Sequence, residues 1–272
     1  MEVTPEDARR AFDAALLGVR AYAMDKSAEA LDRARDLVRL RPASARAHTL
    51  LAAVLLGAGE SEAAEEQYRK ALRLDPDGYG AHFVYGNFLS DAGRMEEARA
   101  EHERCMEIDP ANPLAVVNML QLLTEAGEVE AADALSERAV AAHPANAYVW
   151  GSRAIALQSR GDVAGTIRAL TRAVDLKPEV GPWRGFLAKL LTQAGRIDEA
   201  DGHYAKLLEI EPDNPVVWFW RAEFLAAHRP GQADEALAAL DRCEQLNASG
   251  VIPHDEIAAL RAKLSEGQPP VE

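Results

Sequence analysis

Apolar residues recur along this chain in a helical rhythm, broken by regular punctuation. In the stretch 59–76, GESEAAEEQYRKALRLDP, a glycine and an acidic start are followed by Ala64, Tyr68, Ala71 and Leu72. Steps of four, three and one put these side chains on one face of an α-helix. Pro76 ends the helix, because the residue before a proline is pushed out of the helical region. The same pattern is written again at 93–110, GRMEEARAEHERCMEIDP, and at 195–212, GRIDEADGHYAKLLEIEP. Near the start, Thr4 as N-cap, Pro5 at the first helical position and the acids Glu6 and Asp7 predict a helix over 4–24. It carries Phe12, Leu16, Val19 and Tyr22, and a second helix is expected over 27–40, closed by Pro42.

The punctuation has a fixed period. Pro42, Pro76, Pro110, Pro144, Pro178 and Pro212 are each 34 residues apart, and Gly59, Gly93, Gly127, Gly161 and Gly195 keep the same spacing. After the prolines, Ser44, Asn112, Asn146 and Asn214 are side chains suited to cap the next helix, and Pro113 and Pro215 suit its first position. Each period is therefore a pair of helices with a glycine turn between them, and the fold class is all-α.

A 34-residue helix-turn-helix with a small residue early, an alanine in the second helix and a terminal proline resembles the tetratricopeptide repeat (TPR). First-helix matches are Leu17-Gly18, Leu51-Ala52, Tyr85-Gly86, Leu187-Ala188, Trp150 and Trp218; second-helix alanines are Ala30, Ala64, Ala98, Ala132 and Ala200. The resemblance implies a right-handed α-solenoid of about seven repeats, at 11–44, 45–78, 79–112, 113–146, 147–180, 181–214 and 215–248. One solenoid domain over 1–266 is expected. It ends in a capping helix at 254–265, whose apolar side holds Ile257, Leu260 and Leu264, and a flexible tail follows at 267–272. Departures fall on Asp25 in place of the first turn glycine, Leu120 and Thr166 at small-residue positions, and an insertion at Arg229, Pro230 and Gly231.

Composition narrows the function. With 48% hydrophobic residues the chain can bury a core. Its 44 acidic against 30 basic residues give a net charge of −14, which disfavours a phosphate backbone as ligand. No apolar run approaches the roughly 20 residues of a membrane span, so no membrane insertion is expected. The start, MEVTPEDARR, lacks the pattern of a secretory signal, so the sequence predicts a cytoplasmic protein. Frequent Ala, Arg and Gly point to a GC-rich bacterial genome. Cys105 and Cys243 share one repeat position with Ala71, Ala139 and Ala173, which marks them as packing residues.

No phosphate loop, nucleophile elbow or paired carboxylates are present, so no catalytic residue and no cofactor is expected. His48 and His82 share the fourth repeat position, and with His102 they form the one metal-binding alternative. A packing role fits them better, because no cysteine or carboxylate motif accompanies them. Function then rests on a surface. The resemblance implies that first helices line a concave groove for a protein or peptide. Carried over, the peptide-binding positions are Phe83, Asn87, Asn118 and Gln121, then Tyr148, Ile155, Phe186, Lys189, Phe219 and Trp220. Amide side chains suit an extended backbone, and aromatic side chains suit apolar anchors. Some members of the family clamp a terminal carboxylate. Here Asn87 and Asn118 stand at the asparagine positions of such a clamp, but Phe83, Tyr148 and Ser152 replace the cations. An apolar or mildly basic segment is therefore the expected partner of a non-enzymatic adaptor. The alternative is a self-associating or structural subunit, a homo-oligomer among the possibilities.

Overall fold

The computed structural model describes residues 28–266. The helix expected over 4–24 and the tail at 267–272 lie outside the described residues. The described chain is an all-α repeat solenoid of fourteen α-helices with no strand. It divides into two compact units, Met1–Ala126 and Gly127–Glu272, taken in turn below.

The N-terminal unit contains α1 (Ala28–Leu40), α2 (Ala45–Gly57), α3 (Ser61–Leu74), α4 (Tyr79–Asp91), α5 (Met95–Ile108) and α6 (Pro113–Glu125). Helices pair as α2 with α3 and α4 with α5, and each pair packs on the next. Small residues make the close approach possible: Ala52, Ala64, Ala71 and Ala98 are fully buried. Tyr68, Tyr85 and Phe88 fill the space between pairs, with ring centroids 5.6 to 6.0 Å apart.

The C-terminal unit contains α7 (Val129–Ala142), α8 (Ala147–Ser159), α9 (Val163–Leu176), α10 (Gly181–Gln193) and α11 (Ile197–Ile210). It continues through α12 (Pro215–His228), α13 (Ala233–Leu246) and α14 (His254–Glu266). Its core runs through Leu170, Leu187, Leu191, Leu225 and Leu240. The insertion before α13 forms a short 3-10 turn, Pro230–Gln232. Thr166, at a position where alanine is usual, is buried because its hydroxyl donates to the Asp162 carbonyl (2.8 Å). Helix α14 lays Ile257 and Leu264 against α12 and α13 and turns its charged residues outward.

Local chemistry sets the helix ends. Ser44, Asn112, Asn146 and Asn214 each accept a backbone N–H of the following helix at 3.0 to 3.3 Å. Four first helices end in a Schellman closure, at Gly59, Gly93, Gly161 and Gly195; at Gly93 (φ 75°), Gly93 N–H reaches Ser90 O (2.9 Å) and Arg94 N–H reaches Leu89 O (2.8 Å). Side-chain-bearing residues adopt that backbone at a cost of about 1–2 kcal/mol. Gly202, inside α11, has ordinary helical geometry and open space where a methyl group would stand. Gly93→Ala is therefore expected to lower unfolding stability by about 1 kcal/mol, and Gly202→Ala to raise it by about 0.5–1 kcal/mol. Urea titration of the two variants checks the opposite signs.

Candidate functional site

The proline turns come first, because they aim the first helices. Each is a β-turn, as in the bond from Asn214 N–H to Glu211 O (3.2 Å) around Pro212. The proline carbonyl is then tied by the fourth residue of the next helix. His48 Nε2 donates to Pro42 O (3.0 Å) and His82 Nε2 to Pro76 O (2.9 Å). Trp150 Nε1 donates to Pro144 O (2.9 Å), Arg184 Nη2 to Pro178 O (3.1 Å) and Trp218 Nε1 to Pro212 O (2.8 Å). Three chemically different side chains thus do the same work. The far edge of each histidine is engaged as well: His48 Nδ1 lies 2.8 Å from Gln67 Oε1, and His82 Nδ1 lies 2.6 Å from Glu101 Oε2. With both ring nitrogens held by the protein, these histidines have the structural role. Among the described residues no group of three or more His, Cys, Asp or Glu could hold a metal ion.

A second set of ties joins neighbouring repeats through one carboxylate. Glu65 accepts from Tyr85 (2.9 Å), Arg69 (2.7 Å) and Arg94. Asp133 accepts from Arg153 (2.5 Å) and Arg160, and Asp201 from Arg221 and Arg229. Burial works to raise the pKa of all three acids, yet the hydrogen bonds and charges of their donors hold them below the ordinary value.

On the N-terminal unit, Phe83 is half-buried, stacked on Tyr79 (5.9 Å) and edge-on to His102 (5.9 Å). Asn118 Nδ2 donates to Asn87 Oδ1 at 2.6 Å, so the two predicted amides bind each other. That bridge uses one donor and one acceptor of the pair and leaves the Asn87 amide N–H groups and the Asn118 carbonyl oxygen for other contacts. Gln121 is exposed and donates to Glu125 (2.8 Å). Beside this surface a cavity of about 480 Å³ opens between α2 and α4, lined by Arg46, Thr49, Leu50, Gly80 and Val84.

On the C-terminal unit, Tyr148 and Ile155 are 47% and 48% exposed on α8. Phe186 is half-buried against the core and Lys189 is exposed. Phe219 and Trp220 separate as neighbours on a helix must: Phe219 is 7% exposed and belongs to the core, whereas Trp220 is half-buried. Sequence reasoning missed how the indoles are seated. Trp183 lies on Gly151, where a Cβ would come within 2.8 Å of the ring, and Trp220 lies on Gly185, at 2.9 Å. The signal was present as a mid-helix glycine followed, one repeat later, by tryptophan. Lys189 Nζ lies over the Trp220 ring, 3.7 Å from its centroid. Next to it a cavity of about 360 Å³ is lined by Lys189, Trp220, Glu223, Phe224, Leu260 and Lys263.

The cysteines are both fully buried, and burial pushes the Cys105 thiol up to about 12, which suits packing and not reactivity. Burial pushes His102 the other way, from 6.5 down to about 4, and its Nδ1 has no hydrogen-bond partner. The folded chain therefore prefers the neutral ring. Stability is complete above pH 6.5 and falls as the pH drops towards 4, by up to about 3 kcal/mol. Urea unfolding followed across that range should show the slope, and His102→Gln should flatten it.

The tetratricopeptide repeat family matches this sequence twice over, at 16–78 and 51–113 in one profile and at 89–155 and 157–218 in another. No curated protein sequence matches. Among solved structures, YrrB, described as a TPR protein with an unusual peptide-binding site, is 19% identical with a TM-score of 0.55. That likeness covers 73% of this chain and 99% of YrrB. PilF of Pseudomonas aeruginosa is 19% identical with a TM-score of 0.57, covering 94% of this chain and 99% of PilF. Yeast Tom70 reaches a TM-score of 0.65 at 17% identity, covering 87% of this chain and 50% of Tom70. At these identities the structures speak for the fold. With the matched family profiles spanning most of the sequence, the helix pairs and their proline ties place the chain in the tetratricopeptide repeat family.

Proposed function

We propose that this protein is a non-enzymatic adaptor that holds a peptide or helix of a protein partner against the first helices of its repeats. The observation that carries the reading is the exposure of large apolar side chains at ligand-facing repeat positions. Leu114, Tyr148 and Ile155 are 49%, 47% and 48% exposed on first helices, Tyr148 being steadied by an edge contact to Trp183 and a hydrogen bond from Lys177 Nζ (2.6 Å). In the N-terminal unit the Asn87 and Asn118 pair adds one set of donors and one acceptor, which suits the C=O and N–H of an extended backbone. Gln121 shares the helix of Asn118, and in the C-terminal unit Phe186, Lys189 and Trp220 join Tyr148 and Ile155 at ligand-facing positions. Phe219 has no place on it, being part of the core.

Fold membership supports the general role, since TPR proteins are interaction scaffolds. No helix among the described residues is long and apolar enough to cross a membrane. The rival reading, assembly through the ends, draws little support from α14, whose outward residues include His254, Asp255, Glu256 and Lys263. The test is affinity capture from a lysate of the source organism, comparing the wild type with a correctly folded Asn87→Ala/Asn118→Ala variant. At least one captured protein should be lost or weakened by about tenfold or more, as expected for two hydrogen bonds. Undiminished capture of every protein would move binding to another face.

A further inference from the structure

The cavity between α10, α12 and α14 has an apolar floor and a charged rim. Tyr204 and Phe224 pack beneath it with ring centroids 4.9 Å apart, and Leu260 of α14 closes one side. Lys189 and Lys263 stand on the lining, and neither forms a salt bridge among the described residues. Their surroundings make that unusual. Nearby Arg221 is held by Asp201 and Glu235, Arg229 by Asp198 and Asp201, and Arg261 by Asp241 and Glu244. In a chain of net charge −14, two ammonium groups that form no salt bridge among the described residues line the same cavity, with Glu223 as the carboxylate that feels Lys189. Lys189 is also held in place, since its Nζ rests on the Trp220 ring at 3.7 Å. A cation pre-positioned in this way loses little conformational freedom when an anion arrives.

Glu223 is the opposing charge on the lining. Partial desolvation raises its pKa, Lys189 lowers it and Glu256 raises it further. On the lining itself two cations face one carboxylate, with Glu256 beyond it. We propose that this cavity receives the side-chain carboxylate of an aspartate or glutamate in the partner segment, paired with Lys189 and Lys263. The inference rests on the adaptor reading above and names the chemistry of the segment. It requires an acidic residue beside apolar ones that meet Tyr148 and Ile155. For this unit it replaces the mildly basic segment expected from sequence.

The test uses the full chain, immobilised, and a library of random short peptides that are N-acetylated and C-amidated, so that side chains supply the only carboxylates. Retained peptides are sequenced and their affinities measured by calorimetry. The wild type should enrich Asp and Glu. Lys189→Gln/Lys263→Gln should bind the selected peptides about tenfold more weakly. Glu223→Gln, which removes the opposing charge, should bind them a few-fold more tightly. A folding defect cannot produce both signs. If retained peptides are uncharged or basic and bind the lysine variant equally well, the carboxylate proposal falls and the adaptor reading stands. If no form of the protein retains any peptide, both fall.

Discussion

The hydrogen bond from the fourth residue of a first helix to the preceding proline carbonyl is the constraint on which this architecture turns. Proline stops the second helix and leaves a carbonyl with no helical donor to meet it. A side chain from the next helix supplies that donor, and the turn between repeats then has one path. Histidine, tryptophan and arginine all serve, because each can place an N–H six residues back along the chain. Each bond contributes only about 1 kcal/mol net. Its larger effect is directional, since it sets the angle at which the next first helix leaves the turn. In the fourth repeat the position is Val116, which has no donor to offer.

The first helices aimed by these turns are shaped by glycines. At Gly151 and Gly185 the missing side chain lets an indole from the following repeat settle against the backbone. A large aromatic can then sit near the proposed binding surface and still be half-buried. Lys189 Nζ lies over the Trp220 ring, and Tyr148 meets Trp183 edge-on at 5.3 Å. The surface is therefore built from packed residues, which keeps it rigid before any partner arrives.

Much of this was readable in the residues themselves. Pro76, Gly93 and Asn112 act through local backbone geometry, so their positions alone fix where helices start and stop. Pairings across the chain were less legible. Asn87 and Asn118 were recognisable as paired positions, but their mutual hydrogen bond depends on how closely α4 and α6 approach. Phe219 and Trp220 could not be told apart by residue type, because either could fill the core; the rotation of α12 about its axis assigned Phe219 to it. The histidines were the hardest. A shared repeat position favoured packing over a metal pair, but only the location of the proline carbonyls reveals two separate turn ties.

The carboxylates Glu65, Asp133 and Asp201 stand 68 residues apart, twice the repeat length. The equivalent positions at an intervening junction, Ile167 and Leu187, are buried and apolar. At the other intervening position stands Arg99, so the contrast of charged and greasy seams belongs to the C-terminal unit, where the smallest portable module is two repeats, not one. Shuffling a single repeat would set an ionic edge against an oily one, whereas moving a pair would keep every seam matched. A lineage growing or shrinking this unit by unequal recombination would therefore keep its seams intact only in even steps.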